Sequence, residues 1–326
     1  MKPTIEFSVI SESNEDMIVA CLDSLYASLA QVDYVTSVTA TCNKPGTGLS
    51  ARLRARYPGI TTIDNVNPRG FAANHNAVLA RSKATYVWLL NDDLILGTDS
   101  VRAVTEFMER PENSRVAAVS PRLLNSDGSL QPSTYSFPSM PQTLLSHSGL
   151  RERRFVDRAL ALVAPVMRRG EGSSRFWAHD RTVDVDTFRG ACVAMRMEAV
   201  RDVGPMVEIA LVGGEEVEWH HRFRSRGWRI VFFADASVIH HGSQSVRSDS
   251  GNLYSEYLKG SLYYFRNNRP AVSYLAFCAS MLAMFSAKAL FAWARRDDVS
   301  RDAALQFNRV TWEGVKARLT RPREAT

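Results

Sequence analysis

Four stretches of this chain concentrate residue types that do chemistry. In "LLNDDL", two adjacent carboxylates, Asp92 and Asp93, end an apolar run that begins at Tyr86. An unpaired charge at the end of a buried segment is costly. Oxygen ligands there suit a hard divalent cation such as Mg²⁺ or Mn²⁺; the plainer reading is a helix cap or a solvated turn. In "NPRGFAANHNAV", Gly70 permits close backbone approach to a ligand, and Asn74 and Asn76 stand at a helix start, a position that favours phosphate oxygens. A turn with a helix cap explains the same residues. In "GGEEVEWHHRFRSRGWRI", Glu215, Glu216 and Glu218 fall within four positions, and His220, His221 and Arg222 follow. A carboxylate tuned by like charges suits a general base; a solvated acidic helix start, favoured by the helix dipole, is the plainer alternative. The adjacent histidines point to different faces and no HExxH is present, which sets a zinc hydrolase aside. In "ASVIHHGSQS", His240 or His241 lies just past a strand, where it would complete a metal or diphosphate site.

The elements that must position these residues follow from periodicity. "IEFSVI" reads as a buried strand, and "NEDMIVACLDSLYASL" as a helix with Asn14 as its N-cap. "YVTSVTAT", "GITTID" and "ATYVWLL" read as strands, "LSARLRARY" and "AANHNAVLARS" as helices. This alternation predicts an α/β fold with a mostly parallel central sheet. Ligands in such folds bind at the carboxyl ends of the strands, where Asn91, Asp92 and Asp93 stand. Residues 125–185 are irregular and arginine-rich, with a helix expected at "FVDRALALVAPVM". "TFRGACVAMRMEAVRDVG" reads as a strand followed by a helix, and "GWRIVFFADASVIHHG" as a strand pair.

Charge is uneven. Of 40 basic and 34 acidic residues, residues 266–326 hold eleven and five, which leaves 29 of each sign elsewhere. The basic excess belongs to the tail, which argues against nucleic acid as a partner and suits an anionic membrane surface. Ala271 to Ala287 is 17 residues without a charge. It reads as an interfacial or re-entrant membrane helix, a soluble core or dimer helix, or a true span. Ala276, Ser280, Ala283 and Ala287 give it a small-residue face that permits close helix packing and a homodimer. Residues 1–265 are therefore expected to form one domain and residues 266–326 a basic helical extension. The four cysteines form no CxxC pair and read as buried thiols in a reducing compartment. "MKPTIEFSVISES" has no long apolar core, so the expected location is cytoplasmic, peripheral on the inner face of the cell membrane.

In order and spacing, "VISESNEDMIVACLDSL", "NPRGFAANHNAV", "YVWLLNDDL", "SPRLLNSDGSLQPS", "FRGACVAMRMEAVRDVG", "EEVEWHHRFRSRGWRI" and "ASVIHHGSQS" resemble the glycosyltransferase family 2 enzymes, in particular the rhamnosyltransferase-like branch. They span about Ile5 to Arg269. The resemblance implies a GT-A fold, a Rossmann-like nucleotide-diphospho-sugar transferase domain, acting by inverting transfer with Mg²⁺ or Mn²⁺. It implies a nucleotide-diphosphate sugar donor and a glycan or polyprenyl-diphosphate-linked acceptor in cell-surface polysaccharide synthesis. It implies Asp93 and His240 as metal ligands, and Glu216 as the base, with Glu215 and Glu218 as alternatives. It implies donor contacts from Ser11, Glu12, Asn43, Asn67, Gly70, Asn74, Asn91 and Asp92, and an acceptor side at Gly190, Trp219 and Arg222. Two stretches depart from the family pattern: Cys42-Asn43 stands where Asp-Asn is frequent, and "GPMVEIALVGG" replaces an aromatic-rich run before the acidic pair. A catalytically silent nucleotide-sugar-binding scaffold is the alternative of a different class. A nucleotidyltransferase would carry a Gly-rich loop after the first strand, which "SESNED" lacks.

Overall fold

The computed structural model describes residues 2–12, 14–148, 179–209, 213–242 and 250–320. The helix expected at "FVDRALALVAPVM" and the arginines from Arg151 to Arg175 lie outside the described residues. Those described fall into two compact units. The first lies within Met1–Ser136, Arg168–Glu208 and Trp219–Arg247, the second within Phe137–Met167, Ile209–Glu218 and Ser248–Thr326.

The first unit is built on one mixed sheet. Strands β1 (Thr4–Ser11), β2 (Val35–Cys42), β3 (Thr61–Asp64) and β4 (Tyr86–Asn91) lie in the order β3-β2-β1-β4, all parallel. Helices α1 (Glu15–Leu29), α2 (Leu49–Arg56) and α3 (Phe71–Leu79) connect them. The Asn14 side chain caps α1 by accepting from the Met17 amide at 3.2 Å. The sheet continues from β4 through β10 (Cys192–Arg196), β6 (Val116–Leu124), β11 (Arg229–His240) and β5 (Leu94–Leu96). Strand β10 is antiparallel to both its neighbours and β5 to β11, while β6 and β11 are parallel. Strand β8 (Val183–Asp184) adds to β11, and β7 (Thr134–Tyr135) pairs with β9 (Thr187–Phe188) apart from the main sheet.

Side chains alternate between the two faces of this sheet, as a doubly covered sheet requires. Tyr86, Trp88 and Leu90 pack toward α1, α2 and α4 (Ser100–Glu109). Val87 and Leu89 pack the other way, toward α3, α6 (Met197–Val203) and the Trp219 and Phe223 part of α7 (Glu215–Ser225). The pairs Ser11↔Cys42, Cys42↔Asp64 and Ile10↔Asn91 show that the parallel strands end level with one another.

One expectation is corrected. "GWRIVFFADASVIHHG" is a single strand, not a strand pair. Pro121 and Arg122 face Phe233 and Ser237, so Ala234 to Ala236 are extra residues in β11. They form a bulge, not a turn, and a bulge bends a strand without ending it. Before it β11 pairs with β8, and after it with β5. This brings His240 opposite Leu94, the residue after Asp93.

The second unit contains α5 (Met140–Ser148), α8 (Ser250–Asn268), α9 (Ala271–Ala294) and α10 (Asp298–Thr320), with the first residues of α7. Tyr274, Phe277, Cys278, Met281 and Phe285 recur at helical spacing on α9 and pack with Leu258, Leu262 and Phe265 of α8 and Val310 and Val315 of α10. Lys288 does not end the helix: its ammonium donates to the His147 carbonyl at 2.6 Å, and α9 runs 24 residues. It is long and apolar enough to cross a membrane. Ala276, Ser280, Ala283 and Ala287 are all exposed, and the helix packs through its large aromatic and Met side chains instead.

Candidate functional site

The level strand ends of the first unit gather the polar residues singled out in the sequence. Asp93 follows β4 by two residues and His240 ends β11. The His241 amide donates to the Asp93 carbonyl at 3.0 Å and fastens the two segments. The His240 Nε2 lies 3.4 Å from Asp93 Oδ1, with Asp93 7% and His240 2% exposed. Asp93 Oδ1 and Asp92 Oδ2 are both buried without a hydrogen-bond partner. A buried carboxylate oxygen left unpaired costs free energy unless another group compensates it.

Asp93 and His240 fit a divalent cation. An oxygen and a nitrogen each about 2.1 Å from an octahedral ion lie about 3 Å apart at a right angle, close to the spacing seen. Among the described residues no group of three or more His, Cys, Asp or Glu is placed to hold a metal. A pair of protein ligands leaves the other positions to water and phosphate oxygens, the usual sharing for Mg²⁺. Of the two histidines considered, His240 faces the carboxylate. His241 is exposed and its Nδ1 meets Ser126 Oγ at 2.8 Å. Burial pushes the Asp92 carboxyl up to about 6, against the opposing effect of hydrogen bonds from Ser11 and the Glu12 backbone. Asn91 closes β4, its amide donating to the Ala191 carbonyl at 3.0 Å.

The amide-rich residues act on the loop before α3. Asn43 Nδ2 reaches Glu12 Oε1 at 2.5 Å and the Arg69 carbonyl at 2.9 Å, and its Oδ1 accepts from the Arg69 amide at 2.8 Å. Asn74 Nδ2 also reaches the Arg69 carbonyl, at 3.0 Å. Asn65 donates to both Asn43 and Asn74 at 2.7 Å. These side chains hold residues 65–70 in place and leave Asn67 exposed at the surface. Gly70 is the N-cap of α3 in an ordinary extended conformation, φ −67°. Asn76 accepts from the Met206 amide at 3.0 Å and donates to the Met206 carbonyl at 2.8 Å, pinning the 204–208 turn. Sequence reasoning missed Asn65. Its signal was its position one residue past β3, level with Asn43.

The residues expected on an acceptor side make contacts within this unit. Trp219 is 1% exposed, and its indole Nε1 donates to the Gly204 carbonyl at 2.9 Å. Arg222 donates to the Val203 and Pro205 carbonyls at 2.6 and 2.7 Å. Both brace the turn that Asn76 also holds. A Cβ at Gly190 would meet the Phe71 ring at 3.3 Å. His220 is buried against Thr187 Oγ1 at 2.8 Å, and desolvation depresses its pKa to about 3.

The acidic start of α7 belongs to the second unit. Glu215 and Glu218 are buried and Glu216 is half-buried, its Oε2 accepting from the Gly214 amide at 3.1 Å. Gly213 and Gly214 lie at φ +89° and +96°, where only glycine is at ease. A Cβ at Gly214 would stand 2.6 Å from Gly260 Cα of α8, so the approach itself needs glycines. Burial first, then the Glu216 charge, push the Glu215 carboxyl up to about 8, and Glu215 Oε2 has no hydrogen-bond partner. Glu256 lies near enough to add repulsion and is itself paired with Lys259.

Solved structures with a similar fold include mannosyltransferase PcManGT from Pyrobaculum calidifontis, in complex with GDP-Man and Mn²⁺. It matches at TM-score 0.53 and 14% identity over 97% of this chain and 88% of that one. GalNAc-T7, with UDP, GalNAc and Mn²⁺, matches at TM-score 0.53 and 10% identity over 82% of this chain and 51% of that one. These likenesses establish the GT-A fold. Among curated proteins, the N-acetylglucosaminyl-diphospho-decaprenol L-rhamnosyltransferase of Mycobacterium tuberculosis is 25% identical over 260 residues, 76% of this chain and 80% of its own length. The O-antigen biosynthesis protein RfbC of Myxococcus xanthus is 25% identical over 254 residues, 76% of this chain but 18% of that longer protein. The family described as glycosyltransferase like family 2 matches residues 3–250, most of the chain and all of the strand ends just described, and this protein is a glycosyltransferase of that family.

Proposed function

We propose that this protein transfers a sugar, rhamnose first among candidates, from a nucleotide-diphosphate donor to a hydroxyl of a polyprenyl-diphosphate-linked glycan, with inversion at the anomeric carbon. The observation that carries the donor half is the pair Asp93 and His240, a buried unpartnered carboxylate oxygen facing an imidazole nitrogen where parallel strands end. The rhamnose and the lipid-linked acceptor rest on the mycobacterial relative's activity.

In this reading Asp93 and His240 hold Mg²⁺ or Mn²⁺, which when bound stabilises negative charge on the departing nucleoside diphosphate. Asp92, Ser11 and Glu12 form the wall beside it, and the loop held by Asn43, Asn65 and Asn74 forms the floor for the nucleotide. Glu216 is the base, since it is the half-buried carboxylate of the three and the others are enclosed. It takes the proton of the acceptor hydroxyl while that oxygen bonds to the anomeric carbon and the bond to the diphosphate oxygen breaks. The exposed end of α9 and the basic tail hold the enzyme on the inner face of the cell membrane, where a lipid-linked acceptor resides.

Calorimetric titration with dTDP-, UDP- and GDP-sugars, each with Mn²⁺, Mg²⁺ or EDTA, tests the donor half. One donor is expected to bind only with metal, and Asp93→Ala to abolish that binding. Failure of every donor on folded protein would favour the silent scaffold.

A further inference from the structure

The "SPRLLNSDGSLQPS" stretch matches the family pattern, yet none of the steps above uses it. Its turn after β6 runs back against His240 in the first unit. Gln131 Oε1 lies 2.6 Å from His240 Nδ1. Which nitrogen of a neutral histidine carries the proton is set by the hydrogen bond its other nitrogen makes. The orientation of the Gln131 amide therefore decides the tautomer.

That orientation follows from backbone carbonyls, which can only accept. Asn125 Nδ2 donates to Ser129 Oγ at 2.9 Å and to the Leu130 carbonyl at 3.4 Å. The other end of that amide, Oδ1, then accepts from Gln131 Nε2 at 2.9 Å. Gln131 Nε2 also donates to the His240 carbonyl at 3.3 Å. Both amide protons of Gln131 thus have acceptors, and Oε1 faces the ring as an acceptor. His240 Nδ1 must carry the hydrogen. In the neutral ring Nε2 then turns its lone pair toward Asp93 Oδ1, 3.4 Å away, an oxygen that itself has no hydrogen-bond partner. A neutral ring so held sets two acceptors side by side in a buried place, an arrangement that a cation resolves.

We infer that Gln131, oriented by Asn125, is a positioning residue that locks His240 in the Nδ1–H tautomer and so presents Nε2 to the metal beside Asp93. The inference rests on the metal-site reading above and adds to it the residues that prepare the site before metal arrives. Partners of this kind typically govern metal affinity by 10- to 100-fold.

The test uses full-length, metal-free protein with ¹⁵N-labelled histidines. Long-range ¹H–¹⁵N correlation spectra report the protonation of each ring nitrogen, and His240→Asn assigns the His240 signals. The expected pattern is a protonated Nδ1 and a bare Nε2. Either the Nε2–H tautomer or an imidazolium in the wild type would overturn the inference. Mn²⁺ alone is then titrated and followed by electron paramagnetic resonance. Gln131→Met removes the acceptor and is expected to shift the tautomer and weaken Mn²⁺ about 10- to 100-fold. Gln131→Glu keeps an acceptor at Nδ1, although it gives up both amide donations, and is expected to keep the hydrogen on Nδ1. If Asp93→Ala abolishes Mn²⁺ binding while Gln131→Met binds as the wild type does, the relay is wrong and the metal site stands. If wild-type protein binds no Mn²⁺, the metal reading itself fails. Should Gln131→Met not fold, the wild-type tautomer and the Gln131→Glu variant still decide.

Discussion

Among the three carboxylates at the start of α7, burial separates the roles. Glu216 is the half-buried one, and with it as the proposed base Glu216→Gln is expected to lower turnover 10²- to 10⁴-fold, the usual worth of a general base. Donor affinity by calorimetry should be unchanged, and a fully active variant would reassign the base. Glu215 makes a different prediction. Its carboxyl, enclosed beside Glu216 and Glu256, is pushed up to about 8 from an ordinary value near 4.5. Between those values the folded chain holds a proton that the unfolded chain releases. The stabilising contribution is therefore complete below about pH 4.5 and is lost as pH rises through about 8, with a slope of up to about 1.4 kcal/mol per pH unit. Melting temperatures should fall across that window, and Glu215→Gln should flatten the fall. An unchanged slope would place the titration elsewhere.

What could be read from residues alone follows from how local the information is. Asp93 and His240 stand at strand ends, and strand ends are visible in the alternation of apolar and polar residues. The asparagine web was not legible, because Asn65 finds Asn43 across 22 residues and no periodicity encodes that pairing. Trp219 and Arg222 share a helix with Glu216, and the sequence of a short helix with polar residues on every side does not say which face meets the core.

At the scale of elements, the first four strands were legible because a helix separates each from the next, and that alternation admits few topologies. The bulge in β11 was not legible. Asp235 in the middle of an apolar run reads as a break, yet β6 continues beside it and keeps both halves in one strand. The bulge matters to the site, since it carries His240 onto β5 and next to Asp93. A second element-level device lies where α7 starts on α8. A Cβ on Gly260 would stand 2.7 Å from the Gly213 carbonyl and 2.7 Å from Gly214 Cα, all backbone atoms that cannot swing away. Gly260→Ala is expected to destabilise the protein by about 1–3 kcal/mol, the range for forced overpacking. It should also lower turnover by displacing Glu216 while leaving metal-dependent donor binding in place. Unaltered melting and turnover would show that the contact has slack.

For the molecule as a whole, the informative quantity is where charge and apolar surface coincide. The net charge of +6 resides in residues 266–326, and the same segment exposes Leu290, Phe291 and Trp293 at 66%, 59% and 66%. Arg295 stacks on Phe291 at 4.1 Å, and Arg296 follows it. Aromatic and aliphatic side chains beside arginines at a helix end match a membrane interface, where the rings enter the headgroup layer and the cations meet anionic lipid. Burying one such side chain is worth roughly 1.5–3 kcal/mol, so replacing all three by serine should weaken vesicle binding well beyond tenfold. Because the three are exposed, the fold and the donor site should be untouched, which calorimetry with donor and metal would verify. The measurement is co-sedimentation with anionic and with neutral vesicles at low and high salt. Wild-type protein should bind anionic vesicles and be released in part by salt, and the triple variant should remain in solution. Equal binding by both would remove the end of α9 from the membrane reading. Binding to neutral vesicles as strong as to anionic ones would remove the basic tail.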